Sequence, residues 1–406
     1  MSHTLRIAYF SPLAPSRAST SEYSEELLPH LCRRVQVDAY TDDRVAATQE
    51  VGRIYPLYGY RDFQRDRYDQ LIFQLADSPE HLPIYDLFLR FGGVAMLHDL
   101  DLAAMTGDRP CKGNGWGLLW EVRRNEGVGP FLRSAGGALL RGQLPPQDRR
   151  LLSRRVQQQA MGLIVGSEPA RARLLAQCPH LPVRHIPMGI PRPPLIDSQE
   201  ARSVLGLPQE AFICLSLGRL DPEKRIHVAL QAFARLLDRY PNALYVLVGE
   251  QAPEYPLREM AQALGIAEKV HLTGYVERAT LYRYLAACDA GICLRSSEQG
   301  ELSAGLLRMM SMGKPVIVSN REPYAGLPED CTLRVDVGAG EMTQITAALW
   351  ALSSHPPMRP SLGRRAAQYV QTRHSLAAAA QRYVEFLEEL ATVEVAHGIL
   401  LQEGAV

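Results

Sequence analysis

Two stretches of the chain place charged and polar side chains where a strand gives way to a helix. The first is Gly218-Arg219-Leu220-Asp221-Pro222-Glu223-Lys224-Arg225, which follows the apolar run Ala211–Leu217 and leads into a helical pattern over Ile226–Arg239. Gly218 lets the backbone turn, and Arg219 and Lys224 put two cations at the carboxyl edge of a sheet. An arginine can engage two oxygens at once and a lysine acts as a compact charge, which suits a diphosphate. The same spacing also fits a strand-to-helix loop whose cations pair with Asp221 and Glu223 at the surface, and both readings stay open here. The second stretch runs from Leu294 and Arg295 through the polar residues Ser296 to Glu301, then Leu302, Ser303, Arg308 and the turn Gly313-Lys314-Pro315. A helix starting near Ser303 aims backbone N–H groups and its positive end at the strand edge, a ready site for phosphate. Glu301 can accept hydrogen bonds from sugar hydroxyls. Alternatively, Glu301 and Ser303 only cap the helix.

The elements that must position these groups follow a repeating order. In the first half, Leu5–Phe10, Val35–Tyr40, Gln70–Leu75, Gly93–Leu97 and Gly162–Val165 read as strands, with helical stretches between them. A loop rich in Pro and Ser (Ser11 to Ser21) precedes an amphipathic helix carrying Tyr23, Leu27, Leu28 and Leu31. Proline density rises from Pro182 to Pro194, as in an extended interdomain connection. A second alternation follows: strands Ala211–Leu217, Ala243–Val248, Val270–Leu272, Ala290–Leu294 and Pro315–Val318, with helices at 226–239 and Pro256–Leu264. From Ser375 a last helix sets Leu376, Ala380, Tyr383, Val384, Leu387 and Leu390 at helical spacing. Strands alternating with helices imply parallel α/β layers. The expected architecture is two Rossmann-like, doubly wound domains whose carboxyl strand edges face a central cleft. The expected boundaries are 1–187, 188–374, a helix over 375–392 crossing back to the first domain, and a tail over 393–406.

At the two loop motifs the chain resembles the retaining nucleotide-sugar glycosyltransferases of family 4, which have the GT-B fold. The resemblance runs over nearly the whole chain and is strongest from about Leu215 to Asp330. It implies that Gly218, Arg219 and Lys224 grip a donor diphosphate, and that Arg295, Glu301, Leu302 and Ser303 complete the donor loop. Leu247-Val248-Gly249-Glu250 and Leu272-Thr273-Gly274-Tyr275-Val276 look like the stretches that shape the nucleotide pocket. Leu97-His98-Asp99 resembles the strand end carrying the family's cleft histidine, with Asp99 placed to fix its tautomer. At that strand end a structural histidine is the other reading. Ser19, Tyr23 and Ser24 match the acceptor-side opening loop, and Ser167-Glu168 a further stretch of cleft wall. The sequence also departs from the family. Many members carry two glutamates separated by seven residues at the donor loop. Here Glu298 would pair with Leu306 and Glu301 with Met309, so that pair is absent, and Arg308 stands where the second acid is expected. The glycine usual around Ser19 is also missing.

The remaining features narrow the class. The 44 basic and 44 acidic residues balance, against the basic excess of a nucleic-acid binder, and only Lys112, Lys224, Lys269 and Lys314 are lysines. The seven cysteines show no metal-ligand spacing or disulfide framework, and no apolar run approaches a membrane span. A cytoplasmic location is expected. Residues 123–155 hold eight arginines against Glu126 and Asp148, a local net of +6. This segment reads either as a solvated face or as peripheral contact with an anionic membrane or lipid-phosphate acceptor. The expectation is a retaining hexosyltransferase. It would move a sugar from a nucleoside-diphosphate donor to a glycan, lipid-linked or small-molecule hydroxyl, and by the resemblance needs no cofactor and no metal. The alternative is a degenerate relative that binds nucleotide-sugar or a partner without turnover.

Overall fold

Short apolar runs separated by helices must bury both faces, and a parallel sheet covered on each side does this. In the computed structural model, which describes residues 4–46, 54–102 and 153–403 except Arg17 and 297–301, together with Met105 and Arg123, these runs form two such sheets. The first contains β1 (Arg6–Phe10), β2 (Gln36–Thr41), β3 (Leu57–Gly59), β4 (Gln70–Leu75), β5 (Gly93–Leu97), β6 (Ala160–Val165) and β7 (Val183–His185). Their order is β3-β2-β1-β4-β5-β6-β7, every pairing parallel. Along β1 the side chains alternate between two cores. Ile7 and Tyr9 pack with the helix Ser19–Leu31 and the last helix, while Ala8 and Phe10 pack with the helix Leu82–Phe91.

The second sheet contains β8 (Phe212–Leu217), β9 (Ala243–Val248), β10 (Val270–Gly274), β11 (Ala290–Cys293), β12 (Val316–Ser319) and β13 (Leu333–Val335). Its order is β10-β9-β8-β11-β12-β13, again all parallel. The helix Ile226–Leu237 supplies Ile226, Leu230 and Phe233 to its core. The chain divides into two units. One takes Met1–Gly189 and Leu376–Val406, the other Ile190–Glu298 and Leu302–Ser375. The helix Leu376–Glu403 belongs to the first unit, where Tyr383 and Leu387 are fully buried.

One expectation is corrected. The stretch Pro182–Pro194 is not extended linker throughout, because its first residues form β7 and pair with β6 from Leu163 to Val165. β3 and β13, each three residues long, carry too little pattern to be read from sequence. In both sheets the order reverses beside the first strand, at β1/β4 and at β8/β11. Connections leave such a switch point in opposite directions and open a crevice at the carboxyl ends, where ligands of this fold class bind.

Candidate functional site

The β8/β11 switch point is built on glycines. After β8, Gly218 takes φ +104 and donates its N–H to Val248 O at 2.9 Å. Gly249, after β9, takes φ +136 and donates to Gly274 O at 3.0 Å. A Cβ on Gly249 would lie 2.1 Å from Gly218 O, so the two strand ends touch in a way only glycine permits. Arg219 emerges from this packed edge exposed, and among the described residues nothing forms an ion pair or hydrogen bond with its guanidinium.

Lys224 is folded back onto the same edge. Asp221 caps the turn Pro222–Lys224 by accepting the Lys224 N–H, and Arg225 follows in the left-handed region at φ +49. The Arg225 guanidinium is clasped by the buried carboxylate of Glu341, with Nε 2.9 Å from Oε1 and Nη2 on Oε2. The Lys224 ammonium donates to Leu217 O at 3.2 Å, and a Cβ on Gly218 would sit 3.0 Å from it. Burial pulls the Lys224 pKa down, and the nearby Arg295 adds to this. The surface reading, with both cations paired to Asp221 and Glu223, is therefore not the arrangement found. Asp221 is spent on the turn, and neither acid forms a salt bridge with Arg219 or Lys224 among the described residues.

From β11 the chain continues into Arg295, whose N–H donates to Ser319 Oγ at 2.9 Å and whose Nε donates to Tyr324 Oη at 3.0 Å. Ser296 N donates to Glu223 O at 2.9 Å, stapling the loop after β11 to the loop after β8. Glu301 lies outside the described residues. Leu302 and Ser303 are half-buried, and the helix Ala304–Ser311 begins beside the end of β8, where a Cβ on Gly305 would be 3.2 Å from the Leu217 side chain. Ser303 makes no side-chain capping bond, so an anion can take the first N–H groups of this helix. Arg308 is buried within the helix. Past β10, Tyr275 is 47% exposed and Val276 half-buried, while Glu250 after β9 is exposed.

In the first unit, His98 follows β5 and donates its backbone N–H to Leu75 O at 2.9 Å. Its Nε2 lies 2.8 Å from Gln74 Oε1, and its ring meets Tyr23 edge-on at 5.6 Å between centroids. Gln74, not Asp99, therefore holds this nitrogen, because the Asp99 carboxylate is turned to the Asp77 N–H at 3.0 Å. Ser24 is fully buried, its hydroxyl 2.7 Å from Ser11 Oγ and 3.0 Å from Tyr9 Oη, which makes it part of the loop's anchorage. Ser19 opens the helix Ser19–Leu31. Ser167 caps the helix Glu168–Gln177, and Glu168 pairs with Arg171 and His185. Sequence reading missed His81, which bridges Thr20 Oγ1 and Ser78 Oγ, each at 2.9 Å. Burial, with the neighbouring His98, pushes the His81 pKa down to about 3, so this imidazole is neutral. Of the arginine-rich segment, Arg149 and Arg150 lie outside the described residues, while Arg155 sits 6.0 Å above the Tyr85 ring.

Comparison with known proteins defines the class first. Over 95% of this chain and all of the other, the fold matches Anabaena HepE in complex with UDP-glucose, at TM-score 0.68 and 17% identity. It also matches sucrose-phosphate synthase from Thermosynechococcus elongatus over 96% of this chain and all of the other, at 0.67 and 16%. The fold is GT-B. Residues 197–368 match the family model of glycosyl transferases group 1. Among curated relatives, a lipopolysaccharide core biosynthesis glycosyltransferase of Rhizobium meliloti is 27% identical over 49% of this chain and 54% of its own length. Alpha-monoglucosyldiacylglycerol synthase of Streptococcus pneumoniae is 32% identical over 40% of this chain and 38% of its own. The matches thus span about half or less of these relatives. This chain therefore has the GT-B fold, and its residues 197–368 are similar to the glycosyl transferases of group 1.

Proposed function

We propose that the protein is a retaining glycosyltransferase using a nucleoside-diphosphate sugar. The observation that carries this is the convergence of Arg219, Lys224, Arg295 and an uncapped helix start on one switch point, with no carboxylate among the described residues paired to any of the three cations. Such a cluster stabilises negative charge, and a diphosphate supplies it. In the reaction the bond from the sugar's anomeric carbon to the β-phosphate oxygen breaks, and the leaving diphosphate keeps the electron pair. The acceptor hydroxyl forms the new bond on the same face and gives its proton to the departing phosphate. Arg219, Lys224 and the start of the helix Ala304–Ser311 take up the charge that grows on that phosphate. By the resemblance, Glu301 holds sugar hydroxyls, Tyr275 and Val276 line the nucleotide pocket, and His98 and Tyr23 serve the sugar and acceptor. The relatives' names, one in lipopolysaccharide core biosynthesis and one a glycolipid synthase, favour a saccharide or lipid-linked acceptor and a cytoplasmic site of action at a membrane surface. No described helix is long and apolar enough to cross a membrane.

The test is incubation with a panel of nucleotide sugars and acceptors, following products by mass spectrometry. Transfer by the wild type is expected, reduced about 100-fold or more by Arg219→Ala with Lys224→Ala. A second reading, binding without turnover, is favoured by the absence of the donor loop's second glutamate. Donor binding without any transfer product would select it. Transfer unaffected by the double substitution would overturn the diphosphate assignment.

A further inference from the structure

The three cations of this edge are held in different ways. Among the described residues Arg219 has no side-chain partner, Lys224 leans on a backbone carbonyl, and Arg295 is fixed through a neutral side chain. That side chain is Tyr324, fully buried in a short turn after β12. The segment from Ser319 to Tyr324 braces the loop after β11 three times. Ser319 Oγ accepts the Arg295 N–H at 2.9 Å, Arg321 Nη1 donates to Ser296 O at 2.8 Å, and Tyr324 Oη accepts from Arg295 Nε at 3.0 Å.

Among the described residues the hydroxyl's own proton has one partner in reach, Cys293 Sγ at 3.3 Å, so Tyr324 accepts from the guanidinium and can donate to the sulfur. Burial raises the Tyr324 pKa, which keeps that proton in place. With Nε engaged, Nη1 and Nη2 of Arg295 have no hydrogen-bonding partner among the described residues. Arg295 is near enough to Lys224 for the two positive charges to oppose each other, and no described carboxylate forms a salt bridge with either. Asp221 and Glu223 offset part of that repulsion from a distance, and an anion in direct contact with both cations would relieve the rest. A guanidinium fixed through Nε presents its remaining fork to that anion with little further loss of freedom.

We propose that Tyr324 is a positioning residue of the donor site, holding Arg295 through Nε so that its two Nη nitrogens meet the donor's phosphate oxygens beside Lys224. This rests on the donor reading above and adds a residue to it. Tyr324 touches no ligand itself. Its hydroxyl is felt only through the phosphates, which separates it from a core tyrosine.

The experiment titrates UDP, with ADP and GDP in parallel, and the matching nucleosides into the full chain by calorimetry. The proteins are wild type, Tyr324→Phe, Arg295→Lys and the combination of the two, with thermal unfolding run on each. Tyr324→Phe keeps the ring and removes the hydroxyl. Diphosphate affinity is expected to fall about three- to tenfold in Tyr324→Phe, with nucleoside affinity and melting temperature unchanged. The double variant should be no weaker than Arg295→Lys alone, because the two residues act as one unit. Unchanged diphosphate affinity in Tyr324→Phe would overturn the proposal, as would an equal loss for the nucleoside, which would mark a packing role. If Tyr324→Phe binds normally while Arg219→Ala with Lys224→Ala does not, only this inference fails. If the wild type binds none of the three diphosphates, the donor reading fails with it.

Discussion

Lys224 sets burial against charge at a single residue. Burial lowers its pKa and Arg295 lowers it further, while Cys293, Asp221 and Glu223 pull the other way. A lysine whose folded pKa lies below its unfolded value has its ammonium disfavoured by folding. That penalty is fully present below the folded value and lifts as pH rises through it. A bound diphosphate reverses the preference, because it pairs with the ammonium and not with the amine, so donor affinity belongs to the protonated form. UDP affinity should therefore fall as pH rises through a value below the 10.5 of an ordinary lysine. Lys224→Arg, whose guanidinium keeps its charge, should lose this fall. Calorimetric titrations between about pH 7 and about pH 10 check it. A decline as steep in Lys224→Arg as in the wild type would remove Lys224 as its source.

Among elements, strand ends do the positioning, and the pleat explains which parts of the site could be read beforehand. Gly218, Gly249 and Gly274 close the carboxyl ends of β8, β9 and β10, all at positive φ. Gly249→Ala forces a Cβ to within 2.1 Å of Gly218 O and strains a φ of +136. It should cost about 1–3 kcal/mol of stability and displace Gly218, weakening UDP binding beyond the loss of stability. Urea unfolding and UDP titration of the same variant measure both, and full-strength binding in a folded Gly249→Ala would count against the edge as a rigid cradle. Gly218, Arg219 and Lys224 were legible because one strand–turn–helix carries all three. The parallel sheets were legible for a similar reason, since β1, β4 and β8 are apolar runs long enough to show a strand. The rest depended on partners far apart in the chain. Gln74 meets His98 across 24 residues, Thr20 meets His81 across 61, and Arg225 meets Glu341 across 116. No local pattern records those pairings. Asp99 looked like the partner of His98 because it is next in sequence, yet at a strand end successive side chains point apart. Proline density suggested linker over Pro182–Pro194, but three residues at its start suffice to extend a sheet at its edge, where few ladder bonds are at stake.

For the molecule as a whole, the chain leaves the first unit after Gly189 and returns to it at Leu376, and the two crossings are neighbours: Ile190 N donates to His374 O at 2.7 Å. The first unit's core is completed only by this return. Leu376, Ala380, Tyr383 and Leu387 from the last helix pack with Ile7, Tyr9, Leu27 and Leu31. Burying each large apolar side chain is worth about 1.5–3 kcal/mol. Several together rival the roughly 5–15 kcal/mol that holds a domain folded. The groups that converge at the β8/β11 edge, in contrast, all belong to the second unit, which has a separate core around Phe212, Phe233 and Tyr245. A lesion in the last helix should therefore strike one unit and spare the other's chemistry. Leu387→Ala should cost the first unit about 2–5 kcal/mol. Calorimetry should then show an early transition split from a later one that UDP still shifts upward, because a ligand stabilises only the unit that binds it. At temperatures between the two, transfer should be lost while UDP binding persists. A single transition, with binding and transfer lost together, would mean that the units fold as one and that the last helix supports the donor edge as directly as it supports β1.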